Sequence, residues 1–208
     1  MKSQGTSYRQ DRVFTEFVHQ RVALPQVYRP LGWEPFRLGQ SEQERLDIQH
    51  GIDRVFSQPD GKLVTVQERF RTGYYANYQD VTFRYRRDQH QDKARRYSEF
   101  YKIQADYLLY GILDCKEKDI RQLRQATFQK VVLLQLPLLW EKLDRGEAVI
   151  DETQTGHCRW EKGKLIIPVN HNRDGSSSFI AWDIPLIAKH WSHIIVWQRG
   201  FVSAGFKS

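Results

Sequence analysis

The sequence predicts a mixed α/β domain, with helices packed on the faces of a central mixed sheet. Three observations carry this. Apolar residues recur at helical spacing near the start, and short β-branched and aromatic runs alternate with helical stretches thereafter. No Pro/Gly/Ser linker or internal repeat divides the chain. Its 208 residues suit one domain able to bury a sizeable core without disulfides. We place the core at about 8–145 and read 146–208 as a C-terminal α+β extension.

In "SYRQDRVFTEFVHQRVAL", Phe14, Phe17, Val18 and Val22 fall on one face, which predicts a helix over 8–23 ended by Pro25. "SEQERLDIQHG" opens with Ser41-x-x-Glu44, a capping-box pattern, and stops at Gly51. "IDRVF" and "KLVTVQERFR" flank the turn signal "SQPDG", and "YQDVTFRYR" follows a further turn. Strands over 51–57, 62–71 and 78–86 in an antiparallel meander are the simplest arrangement. The polar segment 88–105 leads through a helix to the strand "DYLLYGIL". "ATFQKVVLLQL" is another strand, and "PLLWEKLDRG" a helix with Pro near its start and Gly past its end. The tail offers a hairpin ("HCRWEKGKLIIPV"), a short helix ("IPLIAKHW") and a last apolar run ("HIIVW").

Lys and Arg number 32 against 25 Asp and Glu, a net charge of +7 that favours polyanionic partners without naming one. Two cysteines, Cys115 and Cys158, are too few for a disulfide scaffold. The start lacks a signal-peptide core, and the longest apolar run, 131–140, is too short to span a bilayer. A cytoplasmic protein with no membrane partner is expected. No Walker loop, GxGxxG or GxSxG is present, so nucleotide-dependent and serine-hydrolase chemistries have no support. Cys115, His157, Cys158, His171, His190 and His193 include no CxxC spacing for zinc.

The hairpin holds the densest chemistry. Alternation puts Gln67, Arg69 and Arg71 on one face of their strand and Val66, Glu68 and Phe70 on the other, with Asp53 on the preceding strand at one end of the row. Metal-assisted phosphodiester hydrolysis needs oxygen ligands, a group that orients water, and a cation to offset charge on phosphate. Asp53 is a hard ligand, the Gln67 carbonyl a weaker one, and Arg69 a cation but a poor proton shuttle. Downstream, Arg71, Arg84, Arg86, Arg87, Arg95 and Arg96 interleave with Tyr74, Tyr75, Tyr78 and Tyr85, a combination suited to phosphates and stacking or to a charge-protected strand edge.

"GIDRVF…GKLVTVQERFR" resembles the PD-(D/E)xK nuclease superfamily, in the motif variant of Mrr-type restriction endonucleases and related phage and bacterial hypothetical proteins. Tyr78-Gln79-Asp80 and "QADYLLYG" extend the likeness over roughly residues 10–145. The resemblance implies a restriction-endonuclease-like core and a Mg²⁺- or Mn²⁺-dependent DNA endonuclease of restriction or phage-defence type, with a homodimer as one arrangement. By it, Asp53 corresponds to the metal-binding Asp, Gln67 to the second acid and Arg69 to the catalytic lysine. Glu68 would join the site if strand twist turned it inward, Glu16 on the first helix would add a carboxylate, and Lys102 would touch phosphate. Gln for an acid weakens the metal site, and Arg for Lys removes the water-activating amine. The alternative is therefore a degenerate nuclease fold that grips DNA without cutting it. A third reading is an interaction protein whose basic charge is incidental.

Overall fold

The computed structural model describes residues 4–87, 99–116 and 123–201. Helical spacing near the N-terminus becomes helix α1 (Gln4–Val18), continued by a wider π-type helix over His19–Tyr28. Pro25 does not end it, contrary to the sequence expectation; it lies within the wide turns. Proline removes one N–H and crowds the preceding turn, and the i→i+5 pattern accommodates that defect. Helix α2 (Gln40–His50) has Gly39 at its N-cap and no side-chain cap, so Ser41 lies inside the helix and the capping box does not form. Gly51 ends it at φ +59°, the left-handed turn that glycine adopts without strain, and aims the chain into the hairpin.

The hairpin forms as expected. Strands β2 (Arg54–Ser57) and β3 (Leu63–Arg71) pair antiparallel, with β1 (Glu34–Pro35) on the outer edge of β2. The meander does not form. Strand β4 (Asp80–Arg86) leaves the hairpin's sheet, and β3 instead pairs in parallel with β5 (Tyr107–Leu113). Strands β6 (Phe128–Gln135) and β11 (Ile195–Arg199) complete a six-stranded mixed sheet in the order β1-β2-β3-β5-β6-β11. Strands β7 (Ala148–Asp151), β8 (Arg159–Glu161), β9 (Lys164–His171) and β10 (Ser178–Asp183) follow in sequence. The second sheet runs β4-β10-β9-β7, with β8 beside β9. Within residues 146–201, β10 supplies the partner of β4 and β11 the last strand of the main sheet.

Two apolar layers sandwich the main sheet. Phe56, Val64, Val66, Leu109 and Leu133 meet Phe14 and Val18 of α1 and Val22 of the π-type helix. Leu108, Tyr110, Ile112 and Val132 meet Phe83 of β4, Ile167 of β9 and Trp182 of β10 on the opposite side. Helix α3 (Glu99–Lys102) packs Phe100 on this second layer, as do Leu136 and Leu139 of α4 (Leu136–Asp144) and Ile184 and Ile187 of α5 (Ile184–His190). Among the described residues, no helix is long and apolar enough to cross a membrane. The architecture is mixed α/β.

This layering sorts the hairpin's polar residues. Phe56, Val64, Val66 and Phe70 belong to the α1 layer and Val55 to the opposite one. By strand alternation Arg54 and Glu68 face α1, whereas Asp53, Gln67, Arg69 and Arg71 share the other face.

Candidate functional site

The hairpin register places Asp53 opposite Gln67, because Arg54 pairs with Val66 and the Asp53 N–H donates to the Val66 carbonyl at 2.9 Å. Oδ2 of Asp53 accepts two hydrogen bonds of 2.7 Å, from the Gln67 amide nitrogen and the Glu68 backbone N–H. Gln43 of α2 donates to the Asp53 carbonyl at 2.5 Å, tying the helix to the same corner. Burial pushes the Asp53 carboxyl up to about 8; the Glu68 N–H opposes that rise and the Glu68 carboxylate adds to it. Asp53 and Gln67 thus converge as their register predicts.

Glu68 does not join them through its side chain. It is 4% exposed on the α1 side, where Oε1 accepts the Tyr28 hydroxyl at 2.8 Å and meets His19 Nδ1 at 2.8 Å. Its Oε2 takes Nε of Arg54 at 3.3 Å, and Arg54 reaches on to Oε2 of Glu16 at 2.6 Å. Burial works against the charge on Arg54, yet the two glutamates outweigh it and raise its pKa. The Tyr28 hydroxyl is pushed well up, by burial and then by the Glu68 charge. His19, Tyr28 and Arg54 escaped the sequence reading. The legible signal was a histidine and a tyrosine in phase with the apolar face of the first helix.

Arg69 and Arg71 continue the Gln67 row into a cleft of about 400 Å³ between the two sheets. Arg84, Thr82 and Asp80 of β4 line its other wall, with Tyr110 on β5 and Tyr75 and Tyr78 in the β3–β4 connection. Nη2 of Arg71 lies 3.5 Å from the Thr82 hydroxyl, and its guanidinium sits 5.1 Å from the Tyr75 ring centre. Burial, and next the charge of Arg69, lower the Arg71 pKa. Asn172, Ser177 and Ser178 of the polar loop at 171–178 also line the cleft. Among the remaining predicted contacts, Arg86 is bound to Glu152 at 2.6 and 2.8 Å, while Arg87 and Lys102 are exposed on the surface. Arg95 and Arg96 lie outside the described residues.

The donor set does not fit a Mg²⁺ or Mn²⁺ ion as it stands. Such an ion needs oxygen ligands in near-octahedral array. Gln67 turns its amide nitrogen toward Asp53. Glu68 lies on the far side of the sheet. Glu16 accepts from Gln20 at 3.1 Å as well as from Arg54. Among the described residues, no three His, Cys, Asp or Glu side chains group to hold a metal. Of the residues carrying the family likeness, Asp106 is a structural pin: its Oδ2 accepts the N–H and hydroxyl of Thr65, both at 2.8 Å, locking β5 to β3. Burial pushes the Cys158 thiol up to about 12 and it donates to the Ala181 carbonyl, both of which disfavour the nucleophilic thiolate.

Compared with known proteins, the chain matches no protein-family model, no curated protein and no solved structure.

Proposed function

We propose that this chain is a domain with a restriction-endonuclease-like core that grips DNA by its phosphates. The observation that carries the reading is the arginine row on β3. It leaves the Asp53–Gln67 pair and runs into a cleft whose opposite wall bears Arg84. Guanidiniums in that arrangement neutralise phosphates and release counterions, whatever the base sequence. Gel-shift titration with duplex DNA tests it: binding should weaken steeply as salt rises, and Arg84→Glu should weaken it for every sequence. Binding unaffected by either change would remove DNA from the account.

A second reading, metal-dependent cleavage of DNA, is favoured by one observation. Asp53, the Gln67 amide and the Glu68 N–H already meet within 2.7 Å at one end of the sheet. Rotating the Gln67 amide would offer Asp53's neighbourhood a second oxygen. Gln67→Glu should lower the melting temperature at pH 8 by setting two carboxylates side by side, and Mg²⁺ or Mn²⁺ should restore it. Incubation with plasmid DNA and either ion, beside Asp53→Ala, reads cleavage itself. Equal cutting by both proteins would show that Asp53 is not catalytic; intact plasmid throughout leaves the gripping function.

A further inference from the structure

We propose that the cleft between the two sheets is a pocket for a single nucleotide bearing a terminal phosphate monoester, presented at a DNA strand end or as a free nucleotide. The strand-end form rests on the DNA reading above; the free-nucleotide form does not.

Size comes first. A cleft of about 400 Å³ falls within the roughly 300–1,000 Å³ of small-molecule sites. A duplex, whose major groove alone is about 12 Å wide, can present backbone phosphates at its mouth but does not enter it whole. One nucleotide does.

Charge comes next. Three guanidiniums, those of Arg69, Arg71 and Arg84, line the space against the single carboxyl of Asp80. Nε of Arg71 is buried and finds no hydrogen-bond partner among the described residues, while Nη2 makes a long contact to Thr82 and Tyr110 hydrogen-bonds the same guanidinium. Arg71 loses proton affinity through burial and then through Arg69, a conflict that an anion between them relieves. Burial, followed by the charge of Asp183, raises the Asp80 pKa, which lessens its claim to be that anion. A phosphate monoester carries about −1.5 to −2 charges at pH 7, against one for a backbone diester, and offers three acceptor oxygens. The pocket therefore favours an end over the middle of a strand.

The mouth supplies the remaining recognition. Tyr75 and Tyr78 stand 43% and 52% exposed with ring centres 6.2 Å apart, while Tyr75 supports the Arg71 guanidinium from below. Exposed tyrosines at that position can stack on a base or sugar once the phosphate is seated.

The test compares single-stranded 12-mers carrying a 5′-phosphate, a 3′-phosphate or hydroxyl ends with a closed circle of the same sequence, alongside dAMP in a thermal-shift assay. A phosphorylated end should bind at least about tenfold tighter than hydroxyl ends or the circle, the gain that one charge-assisted hydrogen bond supplies. Arg71→Met should collapse that ratio, and so should Tyr75→Ala, whose exposed site does not endanger folding. If all four DNAs bind equally, the pocket is refuted while DNA gripping stands. If none binds, dAMP decides: a shift that Arg71→Met abolishes supports the pocket, and no shift overturns it, while duplex gripping is read separately by the gel-shift titration above.

Discussion

Asp53 shows how one backbone position sets a side chain's chemistry. Its carboxyl is half-buried beneath Gln67 and Glu68, and burial first raises its pKa to about 8. Between the usual value near 4 and that figure, the folded state holds a proton that the unfolded state has released. Stability should therefore fall as pH rises through that window, with the full cost present above it. Asp53→Asn keeps an oxygen for both donors and cannot ionise. It should match wild type near pH 4 and exceed it above pH 8, by roughly 1–3 kcal/mol after allowing for partial solvent contact. Melting curves at the two pH values that run parallel for both proteins would contradict this. Glu68 behaves differently because both its oxygens are engaged in the interior. Glu68→Ala would leave Arg54 paired with the half-exposed Glu16 alone and Tyr28 without an acceptor, a loss of about 1–3 kcal/mol readable by urea denaturation. A loss below 1 kcal/mol would mean that water replaces the carboxylate freely.

Strand positions were largely legible at the scale of elements, and strand partners were not. Turn chemistry at "SQPDG" and the alternation in "KLVTVQERFR" gave the hairpin, and its register then brought Asp53 to Gln67. Alternation also identified β4, since Val81, Phe83 and Tyr85 are buried. Period-2 patterning says which residues face inward but not which sheet they face from. The choice of β10, about a hundred residues later, is decided by packing. The Glu68 cluster was illegible for the same reason, because its partners His19 and Tyr28 lie 49 and 40 residues away. Gly111 tests the packing of β5 on β6. A Cβ there would strike the Phe128 ring, whose Cδ1 would lie 2.7 Å away. Gly111→Ala should destabilise the protein by about 1–3 kcal/mol, with far-ultraviolet circular dichroism unchanged before unfolding. A neutral result would mean that Phe128 has room to swing aside.

For the whole molecule, two sheets share one apolar layer, and a cleft opens where β3 and β4 part. Had the meander formed, β4 would have covered the edge of β3 and no cleft would separate Arg71 from Arg84. The departure of β4 to the second sheet is thus what opens the cleft. Residues beyond 145 line it as well: Asn172 and Ser177 reach the cleft from the β9–β10 turn. In this cleft guanidiniums from two sheets face one space. The most direct test is the salt dependence of duplex binding for wild type, for Arg69→Gln/Arg84→Gln, and for Lys164→Gln, exposed at the start of β9, as a control. Each lost phosphate contact should reduce the slope of log K against log salt by about 0.9. The double variant should be shallower by about 1–2, with the control unchanged. Equal slopes for all three proteins would contradict DNA gripping by this cleft.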